Sequence, residues 1–537
     1  MSTSIGRLVL GAMAAVVVLT AEARGQWPSS PAQNLAIADR TGDQVQPKIR
    51  VTSDGGCYIS WFDNATGGYD VYLQRLDPRG YEQWAHNGIL IANRSYSWTT
   101  DYDLAVDADD NAILTYNDDR SGSDQIGCNK ISPAGTLLWG PTGVWLTSTT
   151  EFVASPKVAV TSTGDCMIGW TQGSAFCLQK VNASGVPQWT PVKRFAPTSG
   201  SYLLSDLEPS SGGAAIASWV YNTGGYSDPR YLYSQKYSAS GTAMWGFVPV
   251  VVFNGGSLQM GTFPPLVPDG SGGAVYAWYD VSGTRNCYVQ HVSSLGVEMF
   301  SHNGLAVSTL TGRIRLSPAF TYSQASGEIF VFWTEANTLQ TQWGLYGQRI
   351  SAAGSRLWTS SGLQILPLST MQNGFLETMI CGSGAILFYV DNSGAANLKA
   401  TRFDALGNPV WSGSPRMVCS VLSSKWGLDL AHTPSGMAVL AWADQRVDSG
   451  NIYAQNVKPD GDLGLPAFIF GDMNCDGWVN MADIPHFVQA LLDPAGYEAD
   501  HDGDPYPLCY RVHADTNQDT LENGRDIQRF VELLVTP

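Results

Sequence analysis

Charge is scarce in this chain. Only 14% of its 537 residues are charged, and 30 lysines and arginines face 47 aspartates and glutamates, a net charge of −17. That balance excludes bulk electrostatic attraction to nucleic acid, which needs clustered cations. Lysine and glutamate, the staples of surface helices, are few, so helix is not the expected class. Histidine occurs only seven times, at 86, 291, 302, 432, 486, 501 and 513, and no catalytic triad is argued from them. No C-x-x-C, H-E-x-x-H, G-x-S-x-G or phosphate-loop motif is present, which removes the usual signatures of zinc, thioredoxin, hydrolase and nucleotide chemistry.

Long apolar runs are missing too. Residues 8–20 form a stretch of 13, preceded by Arg7 and followed by Ala21-Glu22-Ala23, an A-x-A site. This reads as a signal peptide over residues 1–23, too short to span a bilayer comfortably, with an uncleaved anchor as the alternative. A secreted or cell-surface location follows. Nine cysteines leave at least one unpaired within the chain; seven lie in apolar strand-like runs, where cysteine is a small buried side chain. Cys475 and Cys509 are the one disulfide candidate.

What the sequence has in quantity is glycine (57), tryptophan (18) and tyrosine (23), with 44% hydrophobic residues. That mixture favours an all-β fold with many turns. Its order is repetitive. Gly80, Gly135, Gly185, Gly241, Gly296, Gly354, Gly407 and Gly461 each precede by four positions a large apolar residue: Trp84, Trp139, Trp189, Trp245, Phe300, Trp358, Trp411 and Leu465. Upstream of each glycine lies an apolar run containing Trp61, Tyr116, Trp170, Trp219, Trp278, Trp333, Tyr389 or Trp442. Each unit reads as four short strands, a to d, and such a unit every ~50 residues is the signature of a β-propeller. One blade cannot bury both its faces, so the aromatics are expected between blades.

The expected fold is mainly β: an eight-bladed propeller over residues 27–466, followed by a small helical unit over residues 471–537. After Leu465 the eighth unit lacks a strand d. Residues 34–44 resemble that strand, so the N-terminal segment is expected to complete the last blade and close the ring. A seven-bladed ring with one unit outside it is the alternative.

Two residues after the strand-b aromatic come Asp63, Asp118, Asp280, Glu335, Asp391 and Asp444, with Gln172 and Tyr221 in the other two units. They read either as a ring of carboxylates binding a cation or polyhydroxyl ligand, or as turn-forming residues at the b–c loop; recurrence in most units favours the turn. His86 and His302 occupy matching H-N-G turns. Nothing repeats the S-x-D-x-G-x-x-W box of sialidases. The propeller is expected to bind, a carbohydrate or a protein being the candidate ligand of its face, or to build, rather than to catalyse. The alternative is a secreted polysaccharide-acting hydrolase or lyase, which needs two carboxylates of unequal pKa.

From residue 471 the composition changes to thirteen acidic side chains against three arginines. Asp472, Asn474, Asp476, Asn480 and Asp483 stand at positions 1, 3, 5, 9 and 12 of a calcium loop, with the Trp478 carbonyl at position 7 and Gly477 at the turn. Asp515, Asn517, Asp519, Asn523 and Asp526, with the Leu521 carbonyl, repeat this 43 residues later, but Thr520 replaces the glycine, and the second site is expected to be weaker. Ile484, Phe487, Val488 and Leu491, and then Ile527, Phe530, Val531 and Leu534, follow helical spacing, two stripes expected to bury each other. The region resembles a dockerin, the duplicated loop–helix module of secreted bacterial proteins. The resemblance implies two Ca²⁺ ions that fold the module, and docking onto a cohesin-like domain of another surface protein. Met481-Ala482 and Gly524-Arg525 at loop positions 10 and 11 depart from the serine and threonine usual there. A calcium-stabilised cap without a partner is the alternative.

Overall fold

The computed structural model describes residues 26–391, 396–433, 436–464, 470–474, 479–501, 511–517 and 521–535. Eight four-stranded antiparallel sheets account for the first part. Blade 1 is typical: strands a to d are Gln44–Val51, Cys57–Asp63, Asp70–Leu76 and Ile89–Ala92. Strand b is apolar on both faces because each face meets a neighbouring blade, and all seven of its residues in blade 1 are buried. Trp61, Trp170, Trp219, Trp278, Trp333 and Trp442 are fully buried, as are Tyr116 and Tyr389.

The eighth sheet settles the count and the closure. Its strands a to c, Lys425–His432, Ala438–Asp444 and Asn451–Val457, are joined by Leu35–Ala38, which pairs with strand c through Leu35–Ala454 and Ala36–Tyr453. The ring is eight-bladed, not seven, and the N-terminal segment supplies the missing strand d.

The glycine–aromatic repeat is a latch between blades. All eight glycines have φ between 76° and 89°, which glycine adopts without strain. Each lies under the aromatic of the preceding blade: a Cβ on Gly185 would stand 2.7 Å from the Trp139 ring, on Gly296 2.5 Å from Trp245, and on Gly461 2.6 Å from Trp411. The indole then donates to a backbone carbonyl of the next turn, as Trp139 Nε1 does to Ala183 (3.1 Å) and Trp411 Nε1 to Pro459 (2.9 Å). Leu465 lies outside the described residues. The place over Gly80 that its repeat position implied is taken by Trp27, whose Nε1 donates to Pro78 O at 3.0 Å. The N-terminal segment therefore brings the latch as well as the strand.

The second part holds α1 (Asp483–Leu492), α2 (Pro494–His501) and α3 (Asp526–Val535). α1 and α3 start at the expected loop ends. α2 was not expected; its Tyr497 is fully buried and donates through its hydroxyl to Met473 O at 3.0 Å. The two apolar stripes are only half buried. Phe487 and Phe530 stack at 3.8 Å between centroids, while Val488, Ile527 and Val531 stay 46–49% exposed. Helices of ten residues crossing at one aromatic pair cannot cover the outer edge of either stripe.

Candidate functional site

The b–c loop carboxylates are brackets, as the turn reading expected. Asp63 Oδ1 accepts from Ala65 N at 2.9 Å, Asp118 Oδ1 from Arg120 N at 3.0 Å, Asp280 Oδ1 from Ser282 N at 2.8 Å and Asp444 Oδ1 from Arg446 N at 3.0 Å. Asp118 and Asp444 are also held by the side chains of Arg120 and Arg446, and Asp391 by Lys399. Several pin the strand-b indole: Trp333 Nε1 donates to Glu335 at 2.8 Å, Trp442 Nε1 to Asp444 at 3.0 Å, and Trp170 Nε1 to Gln172 at 3.1 Å. They do not form a ligand ring. His86 and His302 are likewise turn fasteners, each bridging a glutamate four residues back and a residue of the preceding blade.

A different set of charges, missed in the sequence, gathers at the axis. Register places Lys48, Asp103, Lys157, Asp206, Ala319, Glu377 and Asp429 at one level of strand a in seven blades. Pro265 takes this level in blade 5, one residue before its strand a (Leu266–Pro268). In six blades a bulge immediately precedes this position, and Gln46, Ser155, Ser317 and Phe375 take φ near 50° there. At three positions of this level, one of them in unbulged blade 5, a neighbouring carboxylate takes the next backbone N–H. Asp429 accepts from Ile49 N (2.7 Å), Asp103 from Val158 N (3.0 Å) and Asp206 from Leu266 N (2.9 Å), in each case from the following blade.

Inside this ring is a cavity of about 240 Å³ framed by the inner strands of blades 1 to 5. Asp101 bridges Lys48 (2.9 Å) and Lys157 (2.5 Å), and Arg50 reaches Asp103 (3.4 Å) and Asp429 (3.5 Å). The carboxylates differ. Burial opposes ionisation of Asp101, but Lys157 and Lys48 outweigh it and hold the carboxyl well below its usual range. Burial, then the nearby Asp206, push Glu208 well above its ordinary value, and burial raises Asp206 as well. Burial and then Asp429 push Glu377 up to about 8. The only sequence signal for this set is charge in otherwise apolar inner strands.

In the second part, the two loops behave alike where they are described. Asp472, Asp483, Asp515 and Asp526 are buried, at 0–4% exposure. Asp483 Oδ1 accepts from Met473 N (2.7 Å) and Asn474 N (3.0 Å), and Oδ2 from Asn480 N (2.8 Å). Asp526 repeats this with Asn517 N (3.1 Å) and Asn523 N (2.9 Å). Position 12 thus ties each loop back to the helix it begins. Asn480 and Asn523 cap the following turn through Ala482 N (2.8 Å) and Arg525 N (3.0 Å). Asp476, Trp478 and Asp519 lie outside the described residues, as do Cys475 and Cys509; Leu521, two residues before Asn523, is 58% exposed. Among the described residues no three acidic, histidine or cysteine side chains converge to hold a metal, each loop contributing two aspartates there. The donor set fits calcium: the residues at the loop positions offer oxygen only. A carboxylate offers about four lone-pair sites, so three N–H bonds to Asp483 leave one, and two to Asp526 leave two.

No family model matches this chain, and no curated protein matches it. Among solved structures it is similar to the Dos1 propeller, with 11% identity and a TM-score of 0.46 over 79% of this chain and 95% of that one. The polysaccharide lyase Uly1 gives 12% and 0.42 over 80% and 92%. An α-L-arabinofuranosidase from Clostridium thermocellum gives 13% and 0.29 over 49% and 94%. At such values these likenesses bear on nothing beyond the propeller architecture.

Proposed function

We propose that this chain is an exported, non-catalytic binding or structural propeller, held in an extracellular assembly by a calcium-dependent, dockerin-like unit at residues 471–537. The observation that carries the reading is the pair of buried position-12 carboxylates, Asp483 and Asp526. Each gathers the backbone N–H groups of its own loop, 43 residues apart, at the mouth of a helix. Asp472, Asn474, Asp476, Asn480, Asp483 and the Trp478 carbonyl would hold the first Ca²⁺. Asp515, Asn517, Asp519, Asn523, Asp526 and the Leu521 carbonyl would hold the second. A cohesin-like surface domain is the proposed partner. Calorimetric titration of the full chain with calcium tests the metal: two binding events are expected, Asp472→Ala removing one and Asp515→Ala the weaker one. A chain that takes up no calcium refutes the reading. Capture of cohesin domains with and without EGTA tests the partner.

The channel favours one second reading, a secreted polysaccharide-acting hydrolase or lyase. Asp101 and Glu208 both line the cavity, and Asp101 is kept ionised while Glu208 is tilted toward the protonated form, the division of labour acid–base chemistry requires. Turnover of a polysaccharide panel that disappears in both Glu208→Gln and Asp101→Asn would establish it. No turnover on any substrate would leave the binding role.

A further inference from the structure

Blade 2 breaks the pattern of the ring in one place. In five blades strand c carries a tyrosine opposite strand d: Tyr72, Tyr233, Tyr288, Tyr346 and Tyr453. Three of these stack on the strand-b indole, as Tyr72 does on Trp61 at 5.9 Å. Blades 3 and 7 have Cys177 and Lys399 there, whereas blade 2 has Gly127, and its strand-d partner is Trp145. The corresponding strand-d residues elsewhere are Ala36, Leu90, Arg194, Val251, Ala306, Gln364 and Met417, none aromatic. The ring has therefore moved from the covered strand to the outer one. With no side chain at Gly127, the indole reaches across, and Trp145 Nε1 donates to Asp118 Oδ2 at 3.1 Å. Asp118 is itself clamped by Arg120 and fully covered. The indole's polar edge is thus turned inward, and 42% of the residue stays exposed.

The exposed part borders a cavity of about 570 Å³ on the b–c and d–a loop side, lined by Trp145, Gln125 and six serines and threonines. No charged side chain lines it. An unbroken run of four hydroxyl residues, Thr147-Ser148-Thr149-Thr150, follows no other strand d, blade 5 coming nearest with Ser308-Thr309-Leu310-Thr311. Gln125 holds the walls: its Nε2 donates to Ser123 Oγ (2.8 Å) and Thr149 O (2.9 Å), and its Oε1 accepts from Thr147 Oγ1 (2.7 Å). The site is preformed, which lowers the ordering cost of binding. Ser148 and Thr150 stand exposed on its rim.

We infer that this cleft is a binding subsite for a neutral carbohydrate, a sugar ring lying against the Trp145 indole with its hydroxyls on the Ser148 and Thr150 rim. A fixed aromatic face offers apolar area to the ring's C–H groups, and uncharged hydroxyls exchange hydrogen bonds with sugar hydroxyls. An anionic ligand would find no cation in the lining, and the nearby Arg120 is paired with Asp118. The inference goes beyond the calcium-dependent tether and does not rest on it.

Affinity electrophoresis of the full chain through gels containing arabinoxylan, galactomannan, mixed-linkage β-glucan or polygalacturonate tests it. At least one neutral polymer should retard the chain, and the retardation should persist in EGTA. Trp145→Ala should weaken it tenfold or more, and the rim double variant Ser148→Ala/Thr150→Ala at least threefold. Phe247→Ala, which removes a fully exposed ring in the c–d turn of blade 4, should not change it. The inference is overturned if no neutral polymer retards the chain, if only polygalacturonate does, if EGTA abolishes the effect, or if Trp145→Ala and the rim variant both migrate as the parent.

Discussion

Glu377 sits in the axial ring with its carboxyl pushed up to about 8 by burial and by Asp429. An acid whose folded value lies above its unfolded one binds an extra proton when folded, so stability falls as pH rises between the two. Here the window runs from about 4.5 to about 8. Full expression of that shift corresponds to about 5 kcal/mol, and solvent screening of the half-buried Glu377 lowers it, so about 2–3 kcal/mol is the expected loss. Glu377→Gln should flatten this slope and raise the melting temperature at pH 8.5 relative to the parent, with little change at pH 5. A parallel pH dependence in the two proteins would show that the carboxyl is not held as described. At the same scale, Gly296→Ala combines φ 77° with a Cβ 2.5 Å from Trp245. It should lower stability by about 1–3 kcal/mol in denaturant titration. Residues of the first kind were not legible in the sequence, because a lone glutamate in strand a carries no mark of where the axis lies. Residues of the second kind were legible, because the glycine recurs eight times at fixed distance from its aromatic. What repetition could not show is that each glycine serves the aromatic of the preceding unit rather than its own.

The closing strand was visible as a misplaced copy of strand d, but its latch was not. Trp27 lies eight residues before Leu35, whereas Trp84 precedes Ile89 by five. The spacing hid the equivalence. Trp27→Ala should remove a 4%-exposed indole and its bond to Pro78, at about 3–5 kcal/mol, and expose the strand c edge of blade 8 to hydrogen exchange. An unchanged exchange pattern in Asn451–Val457 would refute the latch. Among the helices, the loop spacing placed α1 and α3 at their starts, since a calcium loop ends where its helix begins. It said nothing of α2, whose acidic residues and weak periodicity read as linker. The partial exposure of Val488, Ile527 and Val531 likewise depends on how two helices cross, which periodicity alone leaves open.

At the level of the whole molecule, two parts draw on different forces. The propeller is held by inter-blade aromatic contacts, while the C-terminal part concentrates buried aspartates around two short loops. Removing divalent ions should therefore act on one and spare the other. In EGTA, hydrogen exchange should accelerate across 471–535, while the propeller's far-ultraviolet β signal and main thermal transition stay in place. Equal protection of the C-terminal part with and without calcium would overturn the metal assignment.

The ring is fastened between Asn34 and Gln455, 421 residues apart. Leu35–Ala38, the first strand of the ring in chain order, is complementary to the last one, Asn451–Val457. At a synthesis rate of about 5–20 residues per second it waits roughly 20–80 s for its mate. Seven blades can stack in chain order, each on the one before, but the annulus stays gapped until Asn451–Val457 is available to pair. Locking is then a single late event joining the oldest and youngest sheets.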